Sequence, residues 1–237
     1  MRNIIIKLLL SALFILFTAF IAFGEENSAL NEMTKLPEIE YQQIFINGNK
    51  EFEIIKPVFK DKEKYSEVNK RIDEIVDEKK WSKTEKEIKK EKNNYSEETY
   101  ISFMPEITYH DRNIISICFY NELYLGGAHG GHRVNSIVVN RKTGKEITQD
   151  ILGENKMDAF DKIYALIKAN KGEVFFNVDE MKITREKIEK EAVLVYITKD
   201  VIGVIYNEYG IAPYTSGTPQ FNYNMKTKKV TFIDGSF

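Results

Sequence analysis

YISFMPEITYH (Tyr100–His110), DRN (Asp111–Asn113) and IISICFYNELYL (Ile114–Leu125) follow one another near the middle of the chain. The two outer runs are rich in Ile, Tyr, Phe and Thr, residues that suit a pleated and largely buried surface. Asp111-Arg112-Asn113 between them makes a tight connection. The pattern predicts two long strands, over 100–110 and 113–125, paired as a hairpin. Cys118 lies inside the second run and is the only cysteine, so no internal disulfide can form. A small apolar residue in a buried strand is the reading that fits Cys118; a catalytic thiol would need an exposed setting with a histidine beside it.

Working outward from this hairpin, Arg133–Asn140 alternates as a further strand and Arg141-Lys142-Thr143-Gly144 turns the chain into Lys145–Thr148. Met157, Phe160, Ile163, Tyr164 and Ile167 share one face of a predicted helix over 156–169. A charged helix is predicted over 184–190. Strands over 193–198 and 201–206 pair across Lys199-Asp200, and strands over 221–225 and 229–233 follow. Upstream, Tyr41–Ile46 and Glu51–Phe59 flank Asn47-Gly48-Asn49, a turn that supplies positive backbone angles. Tyr65, Val68, Ile72, Ile75 and Val76 then form the apolar side of a helix for which Asp61 is a candidate cap. Trp81–Lys92 is charged with both signs and reads as a wet helix or connection. Helices and strands are segregated and hairpins dominate. The expected fold is therefore α+β, with mainly antiparallel sheets and two or three packed helices.

The N-terminus carries a separate signal. Arg2 and Lys7 precede an apolar run, Leu8–Phe23, and Ala22-Phe23-Gly24 leads directly into Glu25 and Glu26. This order is that of a secretory signal peptide over 1–24, or of a membrane anchor if it is not cleaved. Both place the remainder outside the cytoplasm, in the periplasm or at the cell surface. In the uncleaved case, the membrane is a partner only through this segment. Residues 25–37 are polar and read as a flexible leader. Removal of Arg2 and Lys7 leaves 32 basic against 36 acidic residues, a net charge of −4. That mild acidity argues against a nucleic-acid partner.

Two stretches resemble a known family. The first is Tyr124-Leu125-Gly126-Gly127-Ala128-His129-Gly130, followed by Thr143-Gly144-Lys145-Glu146-Ile147. The second runs from Ile205-Tyr206-Asn207-Glu208-Tyr209-Gly210 through Ile211-Ala212-Pro213-Tyr214 to Gly217. Together they are similar to the RsiV-like extracytoplasmic domain, with Gly210 standing where that family usually has Glu. Residues 38–94, with Val68-Asn69 on the helix, resemble the PdaC-like domain that often precedes it. The resemblance implies a PdaC-like part over 38–94 and an RsiV-like domain over 95–237. It implies an envelope protein whose partner is a lysozyme-like protein or peptidoglycan. The sigma-binding and deacetylase domains found in the two named architectures have no counterpart in this sequence, so neither signalling nor deacetylation is carried over.

Gly126-Gly127-Ala128-His129-Gly130-Gly131-His132 is the most unusual stretch. It lacks the Lys-Ser/Thr ending of a phosphate loop. His129 and His132 are zinc-competent side chains, but an irregular loop does not aim both at one ion, and nothing in the sequence brings His110, Asp111 or Glu122 to them. The plainer expectation is a tight loop whose shape His129 holds through backbone carbonyls. Tyr209, Pro213 and Tyr214 form the second candidate, since large rings with polar tips serve at ligand surfaces. The expected binding residues are Gly126, Gly127, Ala128, His129, Tyr209, Pro213 and Tyr214, packed as one surface; no catalytic residue, metal or cofactor is assigned. The expected function is a non-catalytic binding module for a cell-wall glycan or a lysozyme-like protein. The alternatives are an enzyme modifying cell-wall polymer through His129 and a structural envelope protein.

Overall fold

The computed structural model describes residues 33–90, 99–125, 128–170 and 174–233. The export-signal reading of 1–24 and most of the leader lie outside these residues. From Thr34 onward the chain forms one compact unit. It is α+β, built from two sheets and their helices. No helix among the described residues is long and apolar enough to cross a membrane.

The first sheet runs in sequence order through β1 (Ile39–Phe45), β2 (Phe52–Phe59), β3 (Tyr100–His110), β4 (Ile114–Tyr124), β5 (Gly131–Asn140) and the two-residue β6 (Lys145–Glu146). All neighbours are antiparallel except β2 and β3, which pair in parallel over Phe52–Ile54 and Ile101–Phe103. A parallel pair needs a crossover, and α1 (Ser66–Val76) with α2 (Glu78–Lys90) supplies it. The β2–β3 pairing thus joins residues 38–94 to residues 95–237 within a single sheet. The second sheet is β10 (Lys229–Ile233), β9 (Gln220–Asn224), β8 (Val201–Ile205) and β7 (Val193–Thr198), with α3 (Lys156–Ala169) and α4 (Arg185–Glu191) over it.

Strand alternation distributes the core. On β4, Ile115, Ile117 and Phe119 face α1, where Val68, Ile72 and Val76 recur at four-residue spacing. Cys118 faces the other way, onto Val195 and Ile205 of the second sheet. Leu194, Tyr196, Ile202, Val204 and Phe221 then turn to α3, meeting Phe160, Ile163 and Ile167. Helices thus cover the outer faces, and β7 docks across the inner face of the first sheet.

Three local expectations are refined. The helix after Tyr65 breaks at Asp77, whose φ of 44° and ψ of 56° end α1 and start α2. Asp61 does not cap α1: its Oδ1 accepts from the Lys64 N–H one turn earlier, at 3.0 Å. Of Lys145–Thr148, into which the turn leads, only Lys145 and Glu146 pair as a strand, because Thr148 enters a 3-10 turn and its hydroxyl accepts the Val138 N–H at 2.8 Å.

Strand edges end on side chains. Asn69 on α1 grips Phe59, accepting its N–H and donating to its carbonyl, both at 2.9 Å. On the free edge of β7, the Tyr196 N–H donates to Ser116 Oγ at 3.0 Å and the Leu194 carbonyl accepts from Ser136 Oγ at 2.8 Å. These hydroxyls satisfy two edge groups that a neighbouring strand would otherwise pair.

Cys118 is fully buried, and burial pushes its thiol up to about 12. Since the thiolate is the reactive form, the native protein should not react with a disulfide reagent at pH 8 and should release one thiol equivalent on unfolding. Prompt labelling in native buffer would contradict this placement.

Candidate functional site

The loop between β4 and β5 and the segment after β8 meet above the edge of the first sheet. Gly126 and Gly127 lie outside the described residues; Ala128 and His129 are exposed. Gly130 explains part of the glycine content. A Cβ there would come within 2.9 Å of the Leu123 carbonyl oxygen, so the chain passes too close for any side chain. His129 Nδ1 lies 2.8 Å from the Gly130 carbonyl oxygen, which makes it the donor. The sequence reading expected His129 to bond backbone carbonyls; the one it reaches belongs to the adjacent residue.

The second segment is anchored at its base and middle and free at its tips. Tyr206 is buried, and its N–H donates to the Pro219 carbonyl at 2.9 Å, closing the loop. Ile211 and Ala212 sink into the core beneath α3. Between these anchors Tyr209 adopts a φ of 61° and stands 57 % exposed. Pro213, extended at φ −68° and ψ 162°, leads into a 3-10 turn over Tyr214–Ser216, and Ser216 Oγ ties that turn to the Val174 carbonyl at 2.9 Å.

The two segments come together. The His129 and Tyr214 rings stack with centroids 3.9 Å apart and planes 29° apart. Tyr209 stacks on Tyr214 at 6.4 Å, and His132 lies at 6.4 Å from the same ring. Tyr214 is the hub of this platform. Its hydroxyl is held above the ordinary tyrosine value by burial first, then by the Glu208 carboxylate and Tyr209.

Residues beyond the sequence-derived set complete the surroundings. Tyr100 on β3 packs against Tyr124 on β4 at 6.1 Å. The Tyr100 hydroxyl is raised by burial first, then by Glu122, with Tyr214 and Tyr124 adding. Glu122 stands opposite His132 in the β4–β5 register. Asn207 is the clamp: its Oδ1 accepts the Val134 N–H at 2.6 Å and its Nδ2 donates to the Val134 carbonyl at 3.1 Å. These two bonds tie the Tyr214 segment to the free edge of β5, four residues after Gly130. The alternation Tyr120-x-Glu122-x-Tyr124 was readable as one face of a strand. Nothing in the sequence pointed from Asn207 to Val134.

Among the described residues, no group of three or more His, Cys, Asp or Glu is arranged to hold a metal ion. His110 and Asp111 line a separate polar cleft with Glu38, Lys64 and Arg141.

Residues 46–132 match the family model described as Deacetylase PdaC. None of the curated proteins matches the sequence. Two solved structures are similar, both at 17 % identity. A DUF3298 family protein from Pseudomonas aeruginosa has a TM-score of 0.48 and covers 79 % of this chain and 89 % of its own. A DUF3298 family member from Bacteroides fragilis has a TM-score of 0.42 and covers 80 % and 89 %. The span similar to the PdaC model, residues 46–132, includes the His129 side of the platform and ends before the Tyr214 side.

Proposed function

We propose that this protein is an exported, non-catalytic binding module of the bacterial cell envelope, and that the His129–Tyr214 platform is its contact surface. The ligand is a cell-wall glycan or a lysozyme-like protein. The observation that carries this reading is the stack itself. Two loops some eighty residues apart in sequence converge to present flat rings, with Tyr209 outermost, on a base fixed by Asn207 and Tyr206. Rigid rings with polar tips give large contact area at little entropic cost, which suits recognition. His129 spends Nδ1 on the Gly130 carbonyl and one ring face on Tyr214, which favours a contact role over proton transfer. The export reading rests on the order of charged, apolar and small residues in 1–24.

The test is binding of the chain from Glu25 onward to purified peptidoglycan and to lysozyme. Saturable binding to one of them is expected. Tyr214→Ala should weaken it by about thirtyfold, the size of an interface hot spot, and His129→Ala by less. Binding left unchanged in both variants, or absent from the folded protein, overturns the assignment.

A further inference from the structure

The inner face of the first sheet is only partly used. β7 crosses it at Ser116, Cys118 and Ser136. Further along β4, Tyr120, Glu122 and Tyr124 point to the same side as Cys118, while Phe119 and Leu123 pack toward α1. There Tyr120 is 38 % exposed, and Glu122 and Tyr124 are half-buried. The face therefore opens just where it approaches Tyr214, through Tyr100.

Its chemistry is lopsided. The chain has 34 Lys and Arg, yet none falls in 99–111, 113–132 or 200–225, which supply β3, β4 and the Tyr214 segment, and Arg133 on the neighbouring β5, opposite Asn121, points to the other face. Those stretches do contain Glu106, Glu122 and Glu208. The salt bridges among the described residues engage other carboxylates. A surface of tyrosine rings and uncompensated carboxylates attracts a cation, through charge and through the negative faces of the rings. The arrangement is also periodic. Ring, acid, ring along β4 spans roughly 14 Å at about 3.4 Å per residue. That suits a polymer whose repeat presents an apolar ring face and an amine, better than it suits one isolated ammonium group.

Resting on the platform's role as a binding surface, we infer that this face takes a glycan bearing free amino groups. The sugar rings stack on Tyr209, Tyr124 and Tyr120, and the protonated amines lie beside Glu122 and Glu106. The test measures binding of the full-chain protein to β-1,4-linked glucosamine oligomers, to their N-acetylated counterparts and to poly-lysine, near neutral pH at low and high salt. The glucosamine oligomers should bind about tenfold or more tighter than the acetylated ones, with an advantage that shrinks as salt rises. Glu122→Gln should cost the amine form about three- to tenfold and leave the acetylated form unchanged. Glu106→Gln is a second variant, at a more exposed position where the amide oxygen can still accept from the Tyr120 hydroxyl, and should act in the same direction. Equal binding of the two sugars would overturn the inference and leave the binding-module reading standing. No binding of any glycan would remove the glycan reading of both. Tighter binding of poly-lysine than of the amino sugar would assign the face to a basic polypeptide and overturn the inference.

Discussion

Gly144→Ala is expected to lower stability by about 2–4 kcal/mol, the sum of a left-handed alanine and an overpacked contact. Gly144 has a φ of 72°, and a Cβ there would land on the Lys64 carbonyl oxygen, with Lys64 Cγ at 2.7 Å and its carbonyl carbon at 2.9 Å. Neither side can yield cheaply. The Gly144 turn is pinned by its own N–H to the Asn140 carbonyl at 2.8 Å, and Asn140 Oδ1 accepts the Lys142 and Thr143 N–H groups. Lys64 is fixed by the Asp61 turn and by Tyr65, whose hydroxyl donates to the Arg141 carbonyl at 3.3 Å. The two turns are the seam between the α1 layer and the end of β5. For a unit of this size the loss corresponds to a fall in Tm of about 5–15 °C. Thr143→Ala, one residue earlier and exposed, is the control and should shift Tm by no more than about 2 °C. A Gly144→Ala protein melting with the wild type would show that the two turns are not packed together.

The strands, their order along the chain and the α+β class were legible because alternation and turn residues are local signals. Asn47 and Gly48, with φ of 51° and 75°, form the positive-angle turn that their identities announce. His129 and Tyr214 were legible as candidates, and their stacking answered a question that the sequence could only pose. The features that resisted reading share one cause: each is a polar side chain whose partner is distant in sequence. Ser116 meets Tyr196 across 80 residues, and Ser136 meets Leu194 across 58. A serine in a strand looks the same whether it faces solvent or closes another sheet's edge. The parallel β2–β3 pairing was hidden likewise, since register between strands more than forty residues apart leaves no local trace. Tyr100, Tyr120 and Glu122 were different. Their period-two spacing was present, but on strands read as core the open end of one face could not be told from its covered end.

Asn207→Ala should be the most informative change at the site, because it separates holding the platform from forming it. Val134 is buried, and Asn207 alone is described as bonding both its N–H and its carbonyl on this side of β5. Truncation strands a donor and an acceptor where water enters poorly, at a cost of about 2–4 kcal/mol in all. The rest of the loop keeps its own anchors, since Ile211 and Ala212 remain in the core and the Tyr206 N–H keeps Pro219. The protein should therefore fold, with a lowered Tm, while the Tyr214 side of the stack comes loose from the His129 side. Hydrogen exchange reads this directly: the Val134 amide, protected in the wild type, should exchange faster in the variant by one to two orders of magnitude, and amides in the centre of β4 should change far less. Ligand affinity should fall as far as in Tyr214→Ala, although Asn207 lies beneath the rings rather than among them. Asn207→Asp keeps the acceptor for the Val134 N–H but sets a carboxylate oxygen against the Val134 carbonyl, so its stability should be intermediate or worse as pH rises through the carboxylate range. If Asn207→Ala lost stability but bound ligand normally, the two loops would be held together by the stack alone and the clamp would serve only the fold.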